Sequence, residues 1–419
     1  MSLAFELARW AHDYQPGYSD LQLAQKSLLD TMAVTLAARG HPIVALGKDL
    51  PRAARFASIA HVLDFDDLHM ESTTHISAVC VPATLATGGD ARAYLAGAGV
   101  MARIGVALGW QHYEAGWHIT CSAGAPGAAA SAAVALGLDL DQTAAAIALS
   151  ISSAGGVQRA FGFDSKALQV GFATEAGVRA AQLVREGATA NPDAFDQWLG
   201  LLGGDSTALN VASPAVPGGL AIKIYPCCYA LQRPIAAVQQ MLGDRPDSSE
   251  IDRIEIRTPE STVVPLNQHR PLTGLQAKFS LEYGLATAIL DPSVGFEAFS
   301  DVAVRRPEAK RLIEVVDAQL SSGGTGLLDG SVEILVTYRD GRQQRTTMNR
   351  PPGAPGNAQG PEDLTAKLRA CGPDVAGMLS DLDWDGAARI LDTAFPAADN
   401  ESRRSSAVQP SSSQCSRVP

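Results

Sequence analysis

DLQLAQKSLLDTMAVTLAA, residues 20–38, decides the fold class. Its apolar residues recur at helical spacing, Ser19 stands before it as a candidate N-cap, and Gln22 three residues on completes a capping box. The stretch therefore predicts a helix starting near residue 19. Similar Ala-rich segments follow at about 79–108, 122–137, 142–153 and 171–187, separated by Gly and Pro, with Asp139 and Gln142 forming a second capping signal. The first half reads as all-helical. Near Gly218 the texture changes. IDRIEIRT (251–258) and SVEILVTYRDGRQQRTTM (331–348) alternate apolar and polar residues, the latter around an Asp340-Gly341 turn. KFSLEYGLATAIL (278–290) and VRRPEAKRLIEVVDA (304–318) read as helices between them, Lys278 beginning the first. The expected architecture is mainly α: a large all-helical domain over 1–218, completed by 362–398, and a smaller α+β domain over 219–361. A Ser-rich tail over 399–419 is expected to be disordered.

The chain has 419 residues, 46% hydrophobic and 18% charged, with 6% aromatic and abundant Ala and Gly, as in helices packed through small side chains. A net charge of −11 repels phosphate backbones and anionic membrane surfaces, so neither nucleic acid nor membrane is expected as a partner. An anionic small molecule is compatible, because a local cluster of cations outweighs a distant surface charge. None of the six cysteines forms a C-x-x-C pair, and MSLAFELARWAHDYQ has no basic segment followed by an apolar core. These features predict a reducing, cytoplasmic location. The apolar run at 123–138 is mostly Ala and Gly, which fits a buried helix better than a membrane span.

The chemistry concentrates in HVLDFDDLHMESTTHISA (61–78), where Asp64, Asp66 and Asp67 crowd with His61, His69 and His75. Like charges this close repel unless something is bound or one carboxylate holds a proton. The bland alternative is an acidic capping loop with incidental histidines. A metal site fits neither a calcium loop nor an H-E-x-x-H helix. Asp64 with His69 and His75 as acid/base groups is the sharper reading. His118 precedes a helix of small residues, whose free N–H groups suit a substrate carboxylate. The alternative there is a core histidine. Lys166 lies in an apolar segment where a buried ammonium needs an anion, and Lys223, Tyr225 and Arg233 flank the Pro226-Cys227-Cys228 turn. The two cysteines read as packing residues.

No dinucleotide fingerprint, Walker A motif or cluster-binding cysteine set is present, so no cofactor and no metal are expected. Imidazoles and cations without a prosthetic group suit proton transfer on a carboxylate-bearing substrate. A D-x-D-D pattern at Asp64–Asp67 raises a terpene-cyclase reading, which the low aromatic content disfavours.

Taken in order, LLDTMAVTLA, HVLDFDDLH with a downstream TH, GWHITCSAGAPGAA, GFDSKALQVGFATEAG, KIYPCCYALQRPI and AKFSLEY resemble the MmgE/PrpD family over about residues 20–395. That family includes 2-methylcitrate dehydratase, cis-aconitate decarboxylase and iminodisuccinate epimerase. The resemblance implies a helical domain with an α+β lid, a homodimer, an active site between the domains, roles for Asp64, His75, His118 and Lys166, and lid-side contributions from Lys223 and Lys278. Relatives often carry Thr at Leu68 and His at Gln169 and Gln232. Glutamine hydrogen-bonds but does not titrate, so Gln232 is expected to bind substrate without exchanging protons.

The expected activity is a cofactor-independent lyase dehydrating a small, 2-methylcitrate-like hydroxy-polycarboxylate by proton abstraction alpha to a carboxylate. Decarboxylase, epimerase and a non-catalytic carboxylate-binding paralogue are the alternatives. Asp64, His69, His75, His118 and Lys166 are the expected catalytic residues. Lys223, Tyr225, Gln232 and Lys278 are the expected substrate-binding ones.

Overall fold

The computed structural model describes residues 2–211, 214–242, 246–355, 361–379 and 382–397. The tail expected at 399–419 lies outside the described residues, as do 356–360 of the Pro/Gly-rich stretch.

The helical body contains Leu3–Asp13, Tyr18–Ala37, Arg52–Val62, Ser77–Ala86, Ala91–Glu114, Ile119–Ala135, Leu140–Ser150, Asp164–Arg185 and Asp193–Leu201. The Asp139/Gln142 capping box forms as expected. The first one does not: the N-cap is Gly17, whose N–H donates to Asp20, because Pro16-Gly17 already interrupts the chain two residues upstream of the expected cap. The expected 79–108 helix is two, broken where Gly88 turns left-handed (φ +71°) and Asp90 caps the next helix. That next helix, Ala91–Glu114, is long and apolar enough to cross a membrane, but 83% of its apolar window is buried in the body, as befits a core helix.

Small side chains set the interhelical distances. Gly171 of the Asp164–Arg185 helix lies against Ala54 and Ser58 of Arg52–Val62, where a Cβ would come within 2.1 Å of Ser58 Oγ and 2.5 Å of the Ala54 carbonyl. One turn or so from this crossing, the same two helices carry Lys166 and His61, so the missing side chain fixes how closely those two groups approach.

The smaller part holds a four-stranded sheet of β1 (Ile251–Pro259), β2 (Val316–Ser321), β3 (Val332–Tyr338) and β4 (Gln343–Met348), in the order β2-β1-β3-β4. β3 and β4 form the expected hairpin, with Gly341 left-handed in the turn (φ +86°). Val332, Ile334, Val336 and Tyr338 face inward from β3, and helix Gln232–Met241 packs on β3 and β4. The expected 304–318 helix stops at Glu314, and β2 follows, parallel to β1 with Ile254 opposite Val316. Pairing with β1 outweighs local helix propensity there. Lys278 does not begin a helix: it caps the short Gly274–Ala277 helix, and the next runs from Leu281 to Leu290.

After the sheet the chain returns to the body, where Lys367 of helix Pro361–Ala370 places its ammonium 2.6 Å from Asp30 and donates to the Phe65 carbonyl. Buried Arg233 faces the carbonyls of Leu327, Gly330 and Asn349 in the smaller part, away from the acidic cluster.

The Gly171 contact makes a stability prediction. Overpacking costs about 1–3 kcal/mol and the helix-propensity gain returns at most about 1 kcal/mol, so Gly171→Ala is expected to destabilise by roughly 1–2 kcal/mol. Chemical or thermal unfolding measures this, and a midpoint at or above wild type contradicts it.

Candidate active site

The Arg52–Val62 helix ends at Leu63, and Asp64 takes the left-handed conformation (φ +52°) at a position where helices usually carry glycine. Aspartate is among the few L-residues that tolerate it. The chain then reverses through Asp66 and Asp67 into a backbone bridge between Leu68 and Ala221, which brings the segment carrying Lys223 across the end of the helix. Leu68 is itself 1% exposed and contributes backbone pairing and apolar packing.

Two ammoniums meet on one oxygen of Asp64. Lys223 Nζ lies 2.8 Å and Lys166 Nζ 3.1 Å from Oδ1, and Lys223 also donates to the Asp64 carbonyl at 2.9 Å. Lys166 further donates to His61 Nε2 at 2.5 Å, and His61 Nδ1 lies 2.8 Å from Asp66 Oδ2. That same Asp66 oxygen is 2.9 Å from His75 Nδ1, and His75 Nε2 is 4.0 Å from Asp64 Oδ1. The contacts close a ring: Lys166, His61, Asp66, His75, Asp64. His118 stacks on His61 with ring centres 5.8 Å apart, and Phe161 meets it edge-on. Gln169 donates to His118 Nδ1 at 2.6 Å, which leaves the ring proton on Nε2. The chain thus fixes the His118 tautomer with a group that cannot titrate.

Burial alone would raise the Asp64 carboxyl, but Lys166 and Lys223 outweigh it and hold it well below the usual carboxylate range. Asp66 is likewise held well below it, against burial, by His61 and His75. Burial drives His75 down to about 3 despite Asp66, and also lowers His61 and His118, so all three rings are neutral near pH 7. Every residue of the ring, with Lys223 and His118, is at most 8% exposed. This is a closed site, and substrate entry requires it to open.

The remaining expected residues fall elsewhere. His69 does not join the cluster: its Nε2 donates to the Pro217 carbonyl at 2.6 Å and its Nδ1 pairs with Ser72 at 2.7 Å, leaving no ring nitrogen for chemistry. Gln232 does not reach the cluster either. Its Oε1 accepts from the backbone of Ile224 and Tyr225 and its Nε2 donates to the Tyr225 carbonyl, so it shapes the loop that presents Lys223. Tyr225 meets Gln232 through its backbone, and burial pushes its hydroxyl up to about 12. Lys278 donates to the carbonyls of Leu63 (2.9 Å) and Pro226 (2.5 Å), tying the residue before Asp64 to the loop after Lys223. Burial lowers its ammonium to about 8. His61 and Asp66, absent from the expected set, occupy the centre of the ring. Their place in the same crowded stretch as Asp64 and His75 was the available signal.

His61, Asp64, Asp66 and His75 present donor atoms within 4.8 Å of one another, a spacing that also suits a cation. The positive charge these donors face is that of Lys166 and Lys223, which already take His61 Nε2 and Asp64 Oδ1.

Sequence comparison places this geometry in a known class. The MmgE/PrpD N-terminal domain matches residues 48–207 and the MmgE/PrpD C-terminal domain matches residues 225–382. The chain belongs to the MmgE/PrpD family. Among curated proteins it is similar to cis-aconitate decarboxylase of Aspergillus terreus, 25% identical over 358 residues that cover 74% of this chain and 73% of the relative. The protein of the same name from strain NIH 2624 / FGSC A1156 aligns with equal identity and coverage.

The buried imidazoles make a pH prediction. Burial lowers six of the eight histidines (His41, His61, His69, His75, His112 and His118), so between their folded values and 6.5 only the unfolded chain binds those protons. Their stabilising contribution is present above 6.5 and lost as pH falls, about 1.4 kcal/mol per proton per pH unit. Raised Asp30, Asp67 and Glu175 act in the opposite direction but are outnumbered. The unfolding midpoint is expected to rise from pH 4 to pH 6.5 by differential scanning fluorimetry, and a flat or falling profile contradicts this assignment.

Proposed function

We propose that the protein is a lyase acting on a small di- or tricarboxylate, and that it cleaves a C–C bond by decarboxylation in preference to eliminating water. The convergence of Lys166 and Lys223 on Asp64 Oδ1 carries this reading. A substrate carboxylate entering the opened site shares or replaces that partner, and the ammoniums then stabilise negative charge developing beside it.

The similarity to a decarboxylase favours decarboxylation. Asp64 is held as the anion and His75, at about 3, is neutral, so the acid in either reaction is an ammonium. In the decarboxylation of an unsaturated acid one proton is added to carbon, carbon dioxide leaves, and the double bond shifts. An ammonium supplies that proton. Family membership supports a lyase-type enzyme, and the similarity to a decarboxylase supports this chemistry within it.

The assay incubates the enzyme with cis-aconitate, citrate, 2-methylcitrate and iminodisuccinate, following carbon dioxide, double-bond absorbance and optical rotation. Carbon dioxide from an unsaturated tricarboxylate is expected. Water loss or epimerisation without it replaces decarboxylation by the family's other chemistries, and tight calorimetric binding without turnover makes the chain a carboxylate-binding paralogue. In the active enzyme, Asp64→Asn keeps a residue that tolerates the backbone but removes the anion between the ammoniums. Its kcat is expected to fall about 100-fold or more, and near-wild-type kcat contradicts the role given to Asp64.

A homodimer in a reducing cytoplasm is also proposed. Phe172 and Leu183 expose an apolar stripe on the Asp164–Arg185 helix, with Phe163 just before it, and the five described cysteines are free and buried. Light scattering at twice the 43.7 kDa chain mass checks the dimer.

A further inference from the structure

We infer that His61 and Asp66 are positioning residues that fix the direction of one N–H bond of Lys166, the bond that delivers the proton to substrate carbon. The inference rests on the decarboxylation reading above for its chemistry, but its structural core is independent of turnover.

An ammonium has three donors. Lys166 directs one to His61 Nε2 at 2.5 Å and one to Asp64 Oδ1 at 3.1 Å, and its Nζ lies to one side of the Phe161 and Phe279 rings, 5.3 and 5.4 Å from their centres. With two N–H bonds of the tetrahedral ammonium directed, the third has one direction. This works only if His61 Nε2 is an acceptor, which requires the ring proton to sit on Nδ1. Asp66 enforces that: its Oδ2, in a side chain that is 0% exposed, lies 2.8 Å from His61 Nδ1 and takes that proton in a hydrogen bond. The order of control is Asp66, then the His61 tautomer, then the Lys166 rotor. A buried carboxylate that sets an imidazole tautomer is a general device for orienting a proton donor or acceptor.

In the catalytic step the third N–H bond of Lys166 breaks and a C–H bond forms. The C–C bond to the departing carboxylate breaks, releasing carbon dioxide, and its electron pair completes the shifted double bond. Lys166 is left as the amine and regains its proton from water when the site opens to release product. His61 keeps its Nδ1 proton throughout, so it touches neither substrate nor product.

Two measurements test this. Two-dimensional ¹⁵N NMR of histidine-labelled wild-type protein reads the His61 tautomer, with His61→Gln providing the assignment. A neutral Nδ1–H ring at pH 7 is expected, and an Nε2–H ring overturns the inference whether or not the protein turns over any substrate. Kinetics supply the second. His61→Phe, which cannot accept from Lys166, is expected to lose about 100-fold in kcat with KM within threefold, whereas His61→Gln, whose amide oxygen accepts in place of Nε2, recovers at least tenfold of the loss. A His61→Phe enzyme with kcat within threefold of wild type, or no recovery in a folded His61→Gln enzyme, overturns the inference. If His61→Phe does not fold, the wild-type tautomer and the His61→Gln kinetics decide it. Absence of turnover in wild type defeats the functional reading instead, and the NMR result then stands by itself.

Discussion

A single carboxylate oxygen, Asp64 Oδ1, holds two buried lysines together, and the rest of the site is arranged around that fact. Two ammoniums taken out of water without an anion between them are prohibitively unfavourable. With the anion they are tolerable, and the two halves of the molecule acquire a reason to meet: Lys166 comes from the helical body and Lys223 from the segment that leads into the smaller part. The neutral imidazoles complete the arrangement by supplying hydrogen bonds without adding charge. Substrate, itself an anion, competes for the position the protein fills internally.

Packing makes that meeting possible. Gly171 lets the Asp164–Arg185 helix approach Arg52–Val62 closely enough for Lys166 to reach His61. Lys278 bridges Leu63 and Pro226, so the backbone before Asp64 and the backbone after Lys223 share one tether. The abundance of small residues, which in composition suggests only helix packing, thereby bears on the chemistry.

Much of this was legible in the sequence because it is local. Helical periodicity, the Asp139/Gln142 cap, the alternation in β1 and β3 and the crowding of charge at 61–78 all arise within a few residues of one another. What could not be read was set by partners distant in the chain. His69 and His75 look equivalent in sequence, yet the carbonyl of Pro217 claims one and Asp66 holds the other. Gln232 reads as a substrate ligand until the loop it braces is visible. β2 escaped notice because its pairing with β1 is a tertiary contact, and His61 because only Lys166, more than one hundred positions away, gives it a role.

The left-handed backbone of Asp64 restricts how this site could diversify. Asparagine and glycine suit the geometry but lack the anion, while glutamate keeps the anion but suits the geometry poorly. No single exchange preserves both, so a lineage exploring new substrates is channelled away from this residue toward neighbours whose backbone is ordinary. Gln169, which meets His118 from an ordinary helical backbone, is a neighbour of that kind. The helix terminus thus acts as a fixed point, around which exchanges at residues of ordinary backbone are the tolerable ones.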